Sequence, residues 1–173
     1  GIRVDNSLCD GYTFESTKGD IMPLPTSHYT LSDDKIVIKK GQVLGGVTVN
    51  LTDAFFNDPK ATELNYVIPV VMTGVQNADS ILEAKPSVDT PDRVNKEDWE
   101  VQSKDYILYA VKYISKYDSH YLRRGVDTYT GNKTGTEVRH AANVEKDETI
   151  GGFSTLGLNK VQWERPTKDA AGK

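Results

Sequence analysis

The residues that most often carry acid–base or nucleophilic chemistry are present, but they are scattered along the chain. His28, His120 and His140 are far apart and lie in polar, turn-rich surroundings, where an exposed or packing role is more common than base catalysis. Cys9 is the single cysteine, and a small buried hydrophobe is its ordinary role. No nucleophile stands out, so the sequence predicts no catalytic site.

Sequence motifs for phosphate, dinucleotide and zinc sites are absent. The chain has no GxxxxGK[ST], GxGxxG, HExxH, CxxC or GxSxG pattern. Two stretches are rich in Asp, Asn and Gly, residues 5–11 and 127–135, but neither has the ligand spacing of a calcium loop. Paired carboxylates, such as Asp33 with Asp34, are interpreted as solvated surface charge. We therefore expect no metal, no cofactor and no enzymatic activity.

The composition is that of a globular chain. The 173 residues include 21 Lys+Arg, 25 Asp+Glu and 37% hydrophobic residues, which is enough apolar material for a core. The basic residues are scattered among carboxylates, whereas nucleic-acid binding needs them clustered. The longest apolar stretch, residues 66–72, is far shorter than the roughly 20 residues of a bilayer-spanning helix. We expect no nucleic-acid partner and no transmembrane segment.

Runs of β-branched residues bounded by turn residues predict strands. These runs lie at residues 36–38, 47–51 and 66–72. Pro69 within the third run indicates an edge strand or a bulge, and Thr52 can cap a short helix that Pro59 stops. Short strands at such spacings are typical of an antiparallel sandwich. The predicted fold class is all-β, an antiparallel immunoglobulin-like β-sandwich followed by a second β-rich domain, complete or partial.

A stretch crowded with Pro, Ser, Asp and Asn, residues 85–96, is the candidate linker. It divides the chain into a predicted sandwich at residues 1–95 and a second β-rich domain at residues 96–173. Weak strand signals occur in the second part at residues 136–139 and 160–163. We expect the linker to separate two independently packed regions.

Tyrosines recur after the linker at positions 106, 109, 113, 117 and 121. Their spacing of three or four residues is also that of an amphipathic helix. The residues between them are largely β-branched or aromatic, and Asp118 with Ser119 has turn chemistry. We therefore favour two strands, with a turn near residues 117–120.

Ordered short motifs between about residues 20 and 125 resemble a known family. The motifs are MPLP (22–25), YTL (29–31), IVIKKG (36–41), VTV (47–49), NYVIPV (65–70), ADSIL (78–82), DW (98–99), YILYAVKYI (106–114) and YLRRG (121–125). In this order they resemble the N-terminal β-sandwich domain of unknown function of surface lipoproteins in Bacteroides-type bacteria. That domain occurs in starch-utilisation-like loci and ahead of some family 18 endo-β-N-acetylglucosaminidases.

The resemblance implies a module that captures or presents glycans at the cell surface or elsewhere outside the cytoplasm. It also implies a lipid anchor to the outer membrane upstream of this chain, with outer-membrane transporter components as further partners. The DxxDxDxE pattern of the family's hydrolases is absent, which argues against catalysis in this chain. The alternative is a structural spacer or assembly module with no ligand of its own.

Glycan capture requires exposed aromatic rings next to planar polar groups that pair with hydroxyls. The residues that could supply them are Trp99, Tyr117, Tyr121, Arg123, Arg124, Asp127, Tyr129 and Trp163. Core packing is the alternative for the aromatic residues, and a solvated strand edge is the alternative for the arginines. We predict a shallow glycan-binding surface built from this set.

Overall fold

The computed structural model describes residues 1–82, 84–122, 124–132, 134–140 and 149–163. They form strands, turns and a few short helices, which confirms the all-β class. The strands are β1 (Ile2–Val4), β2 (Met22–Pro23), β3 (Tyr29–Leu31), β4 (Val49–Leu51), β5 (Tyr66–Met72), β6 (Lys85–Pro86), β7 (Trp99–Val101), β8 (Tyr106–Val111), β9 (Ser119–Leu122), β10 (Arg124–Tyr129), β11 (Gly135–His140), β12 (Thr149–Gly157) and β13 (Lys160–Trp163). The described helices are α1 (Asp53–Asn57) and 3-10 turns at Asn6–Cys9, Thr26–His28, Pro59–Thr62 and Lys96–Asp98. None of these helices has the length and apolar content needed to cross a bilayer.

Internal contacts divide the chain into two compact units, Gly1–Lys112 and Tyr113–Lys173. The division differs from the predicted boundary at residue 95, because the segment after the candidate linker packs into the first unit. Arg93 forms an ion pair with Asp105, and β6 pairs with β7 across the proposed linker. β8 then pairs with β5 along six residue pairs, so the chain leaves the first unit only after this strand.

The central strand of the first unit is β5. It pairs with β8 along one side, and with β1 and β2 in succession along the other. The β2 pairing is parallel and the other two are antiparallel. The interpretation of residues 66–72 as an edge strand or a bulge is therefore wrong, because the strand is paired on both sides and its register with β8 is continuous.

Pro69 is tolerated in this central strand because of where its missing N–H would point. Its carbonyl oxygen accepts a hydrogen bond from Asp5 N (2.9 Å), on the side of β1 and β2. The partner on that side changes at this point: along β5, the pairing with β2 stops at Val67 and the pairing with β1 starts at Val70. Pro69 thus occupies the gap between two neighbours, where no ladder bond is lost.

The prediction of a strand at residues 36–38 is wrong. These residues pair with no described strand, and all three side chains are exposed. The chain turns back soon afterwards, with Gln42 N donating to Lys39 O (2.9 Å) and Gly41 in the left-handed region at φ 83. The neighbouring prediction is confirmed in part, since residues 49–51 of the predicted 47–51 run form β4, which pairs with β3.

The core of the first unit surrounds β5. Its most deeply buried side chains are Cys9, Leu24, Phe55, Val67, Ile68 and Pro69. The predicted connector helix exists as α1, with Thr52 at the N-cap position. The Thr52 hydroxyl donates to Ser27 O (2.8 Å), so it ties the helix to the neighbouring turn. Phe55 of this short helix is completely buried, so α1 contributes one large side chain to the core.

The second unit contains two small antiparallel sheets within the described residues. One has the strand order β13-β12-β9 and the other pairs β10 with β11. The weak strand signals at 136–139 and 160–163 are confirmed as β11 and β13. The tyrosine-rich run does form two strands, β8 and β9, and these belong to different units and different sheets.

Candidate functional site

Three aromatic side chains gather on one face of the β13-β12-β9 sheet: Tyr121, Phe153 and Trp163, here named the aromatic cluster. Phe153 lies directly opposite Trp163 in the β-ladder, with ring centroids 5.8 Å apart and ring planes at 20°. Tyr121 approaches Phe153 edge-on, at 5.1 Å and 87°. Both arrangements are favourable for aromatic pairs, so the cluster holds its three rings in defined orientations.

The aromatic cluster lies at the surface. Trp163 exposes 45% of its area and Tyr121 exposes 39%, while Phe153 between them is half-buried. Large aromatic side chains usually contribute to a core, so two that remain this accessible on a packed sheet form a platform on which another planar or ring-shaped group can rest.

The turn before β9 is fastened to β12 through Thr155. The Asp118 carboxylate accepts hydrogen bonds from Thr155 N (2.8 Å) and Thr155 Oγ1 (2.6 Å). Ser115 N in turn donates to Thr155 Oγ1 (2.9 Å), and Asp118 N donates to Ser115 O (2.9 Å). Charge-assisted hydrogen bonds to backbone donors are among the stronger ones. The turn, and with it Tyr117, is therefore held at a fixed place against the sheet.

A cleft of about 520 Å³ adjoins this turn. Its lining residues are Tyr113, Ile114, Ser115, Lys116, Tyr117, Leu158, Asn159, Lys160 and Val161. Val161 and Trp163 are two residues apart on β13, and side chains at that spacing point to the same face of a sheet. Val161 and Trp163 therefore lie on the same face of the sheet, and the cleft begins beside the aromatic cluster, at the Lys160 end of β13.

Polar groups surround the aromatic surface of this face. The Tyr121 hydroxyl donates to Tyr117 O (3.1 Å), and the Tyr113 hydroxyl donates to Leu158 O (3.1 Å). Lys116 Nζ lies 5.0 Å from the centroid of the Tyr117 ring, a cation–π distance. Tyr117 itself is 55% exposed. The face thus combines accessible rings with hydrogen-bonding groups at its border, which suits a polar ligand with apolar faces.

The structure brings together three of the eight sequence-predicted residues: Tyr117, Tyr121 and Trp163. The others lie elsewhere or cannot be placed. Trp99 belongs to β7 in the first unit, where its Nε1 donates to Asp92 O (2.7 Å). Arg124 begins β10, and Arg123 lies outside the described residues.

Asp127 and Tyr129 lie on the β10–β11 hairpin, apart from the sheet that carries the aromatic cluster. Both are half-buried, and the Tyr129 hydroxyl donates to Glu137 Oε2 (2.9 Å). Glu137 is the cross-strand partner of Asp127. This pairing gives Tyr129 a role in holding the hairpin together.

Phe153, which contacts both other rings of the aromatic cluster, was not among the predicted site residues. It lies in β12, a strand that was not predicted from the sequence. The β-branched and aromatic residues Thr149, Ile150, Phe153 and Thr155 were the available signal for a strand. Gly151 and Gly152 interrupt that signal, at the point where the register between β12 and β9 shifts.

A cluster of polar and charged side chains around Asp58 in the first unit has a structural role. Asp58 Oδ2 accepts a hydrogen bond from the Tyr66 hydroxyl (2.5 Å) and lies 3.1 Å from His28 Nε2. The Tyr66 hydrogen bond is the largest factor that lowers the pKa of Asp58. Burial, followed by the bond to Asp58, raises the pKa of Tyr66 to about 12. These contacts join the Thr26–His28 turn, the Pro59–Thr62 turn and β5.

No group of three or more His, Cys, Asp or Glu side chains is arranged to hold a metal ion in the part of the chain that the structure describes. In the two stretches rich in Asp, Asn and Gly, the side chains whose contacts are described pair with neighbours instead. Asp5, for example, accepts from Ser7 Oγ (2.7 Å) and pairs with Arg3 (2.8 Å).

Comparisons with known proteins give two family matches and one solved structure. A family model for an N-terminal domain matches residues 1–79. The model of a domain of unknown function, DUF5627, matches residues 116–173. A comparison with curated proteins gave no match.

The solved structure is the crystal structure of a protein of unknown function from Bacteroides ovatus. It is 44% identical to this chain, with a TM-score of 0.88 over 99% of the chain. The chain spans 55% of the length of that protein. It is thus similar to a Bacteroides protein, as the resemblance implied, and its aromatic cluster lies within the segment that matches DUF5627.

Proposed function

We propose that this chain is a non-catalytic glycan-binding module and that the glycan rests on the aromatic cluster of the second unit. In the whole protein, the resemblance to lipoproteins of glycan-utilisation loci favours a place at the cell surface, with a lipid anchor outside this chain. Transporter components of the outer membrane are the partners that such a location suggests.

The observation that carries the proposal is the pair of accessible rings, Tyr121 and Trp163, fixed on either side of Phe153. A sugar ring has apolar C–H faces and a polar edge of hydroxyl groups. The C–H faces can pack on exposed aromatic rings, while side-chain amides, ammonium groups and backbone carbonyls at the border accept or donate to the hydroxyls. Lys116, Asn159 and Lys160 line the adjoining cleft and could form hydrogen bonds with the sugar hydroxyls.

The composition of the cleft supports binding rather than hydrolysis. Glycoside hydrolysis ordinarily needs two carboxyl groups on opposite sides of the scissile bond. The residues that line the described cleft include no carboxylate, histidine or cysteine. A ligand held there would meet rings, hydroxyls and ammonium groups, which can orient it by stacking and hydrogen bonding.

The test is a glycan-array screen of the folded chain, followed by calorimetry on each reproducible hit. We expect Tyr121→Ala and Trp163→Ala each to weaken binding by about tenfold, because each removes one stacking ring. Tyr121→Phe keeps the ring and should retain most of the affinity. Tyr109→Ala removes an exposed tyrosine of the first unit and should have no effect.

Two outcomes would contradict the proposal. Binding that survives both alanine substitutions would place the ligand elsewhere on the chain. A blank array from a folded protein would favour the alternative of a spacer or assembly module.

A further inference from the structure

We propose that the cleft beside the aromatic cluster binds an acidic sugar, one that carries a carboxylate or a sulfate group. This inference rests on the proposed function, because the aromatic cluster still has to hold a sugar ring of the same glycan. It goes further by naming the charge of the ligand, which stacking on aromatic rings does not determine.

The cleft is positively charged. Its described lining residues include two that carry a charge at neutral pH, Lys116 and Lys160, and they include no carboxylate. The chain as a whole has the opposite balance, with 25 Asp+Glu against 21 Lys+Arg. A cleft lined by one sign of charge raises the local concentration of ligands of the other sign. The cleft therefore favours an anion, although the chain is acidic.

The two lysines come from opposite parts of the cleft lining. The lining residues belong to two segments, 113–117 and 158–161, and each segment contributes one lysine. The Tyr113 hydroxyl joins the segments by donating to Leu158 O (3.1 Å). A ligand that enters the cleft can therefore meet one ammonium group from each segment.

The backbone around both lysines is held by hydrogen bonds. Lys116 follows Ser115, whose N donates to Thr155 Oγ1 (2.9 Å). Lys160 is the first residue of β13 and is paired with Gly157 across the β12–β13 turn. Only the lysine side chains would have to become ordered on binding, which limits the entropy that is lost.

Neither ammonium group is paired with a carboxylate of the described residues. Asp118 is close to Lys116 in sequence, but its carboxylate accepts from Thr155 N (2.8 Å) and Thr155 Oγ1 (2.6 Å). Lys116 Nζ lies instead 5.0 Å from the centroid of the Tyr117 ring. Both lysines can thus donate to an anionic ligand without first breaking an ion pair, and such charge-assisted hydrogen bonds are the stronger ones.

Two ammonium groups suit a single anionic group better than a polyanion. Nucleic-acid binding needs a longer patch of clustered basic residues, and anionic membranes attract clusters of about four to eight. A carboxylate or sulfate on a sugar presents several acceptor oxygens, which match the donors of Lys116, Lys160 and the Asn159 amide. The apolar face of the sugar ring remains free to stack.

The test is calorimetry of the full chain with each glycan-array hit and with an uncharged form of the same glycan. Oligogalacturonate and its methyl ester form one pair, and a sulfated galactan and its desulfated form make the other, so the two arms distinguish a carboxylate from a sulfate. We expect the charged form to bind about tenfold more tightly. Raising the salt concentration from about 0.05 M to about 0.5 M should remove most of this difference, because salt screens exposed charges.

Substitutions at the two lysines locate the anion. Lys116→Met and Lys160→Met remove the charge and keep an apolar stem, so each should weaken binding of the charged glycan by about three- to fivefold. Binding of the uncharged form should not change, which also shows that the variants are folded. Lys116→Arg keeps the charge and should retain most of the preference. Lys104→Met removes an exposed lysine of the first unit and should change neither affinity.

The outcomes separate this inference from the proposed function. Equal affinity for the charged and uncharged forms, with both lost in Tyr121→Ala, would overturn the inference and leave the glycan site in place. A preference for the charged form that survives in the double variant, Lys116→Met with Lys160→Met, would also overturn it, because the anion would then lie elsewhere. An array without any hit would remove the glycan site and this inference together.

Discussion

At the scale of single residues, Asp58 connects three parts of the first unit through one carboxylate. It accepts from the Tyr66 hydroxyl (2.5 Å), contacts His28 Nε2 (3.1 Å) and caps the following turn by accepting from Lys60 N (2.9 Å). Tyr66 is itself buried on β5. Removing an acceptor from a buried donor generally costs more free energy than the hydrogen bond contributes, so the stability of this corner depends on the one carboxylate.

We therefore expect Asp58→Asn to lower the free energy of unfolding by about 1–3 kcal/mol at pH 7. The folded state lowers the pKa of Asp58, so its ionised form stabilises the protein above the unfolded-state value of about 3.9. That contribution is lost as the pH falls through the lower folded-state value. The difference between the two proteins, measured by urea unfolding from pH 7 downwards, should shrink in this range.

Asp89→Asn is the matched control, because Asp89 is exposed and its substitution should change stability little at any pH. An Asp58→Asn penalty that stays constant from neutral to acidic pH would show that the ionised form is not what stabilises the fold.

The ionisation of Tyr66 offers a second test at this scale. Burial and the bond to Asp58 raise its pKa to about 12, and burial with a bond to Asp92 does the same for Tyr12. A raised tyrosine pKa means that stability is lost as the pH rises from about 10 towards 12. In an ultraviolet titration, Tyr66→Phe should remove one phenol that ionises near pH 12. An unchanged late phase would contradict the assigned environment.

Only some residues of the candidate site could be predicted from the sequence. Tyr117, Tyr121 and Trp163 could be selected because aromatic residues near turns are candidates for binding. Phe153 could not, because its partnership with Trp163 is a cross-strand contact. Such a contact depends on the register of two strands that local pattern does not determine.

At the scale of elements, the loop that follows residues 36–38 depends on a glycine. A Cβ on Gly45 would lie 2.7 Å from the carbonyl oxygen of Val37, whereas one on Gly46 would meet nothing within 4 Å. Neither glycine has a positive φ. We expect Gly45→Ala to lower the free energy of unfolding by about 1–3 kcal/mol, through forced backbone movement. Gly46→Ala should be neutral or slightly stabilising.

The comparison of the two variants isolates the steric effect, since both make the same chemical change at adjacent positions. Urea unfolding measures both. Equal stabilities would mean that the loop does not pass close to Val37 in solution.

A comparison of residues 36–38 with the paired strands shows why some strands could be predicted from the sequence and others could not. Residues 66–72 and 106–111 form strands because their β-branched pattern coincides with available partners, and they pair with each other. Residues 36–38 have an equally strong pattern but no partner within the described chain, because the chain turns away at residues 39–42. A high strand propensity means that a side chain packs well on the surface of a pleated sheet. Whether a neighbouring strand is present to complete that sheet is decided by the tertiary structure.

At the scale of the whole molecule, the two units differ in how much apolar surface they bury. Within the described residues, the buried hydrophobic side chains all lie between Ile2 and Val71, in the first unit. The second unit keeps its largest rings at the surface in the aromatic cluster. Because burial of apolar area is the dominant favourable term in folding, we expect the second unit to be the less stable one.

Each unit carries one of the two tryptophans of the chain, Trp99 and Trp163, so fluorescence can follow them separately. In Trp99→Phe the signal reports on the second unit, and in Trp163→Phe it reports on the first. We expect the Trp163 signal to change at a lower urea concentration than the Trp99 signal. Hydrogen exchange of the unsubstituted chain should agree, with β12 and β13 exchanging faster than β5. Coincident transitions would instead mean that the two units unfold as one cooperative system.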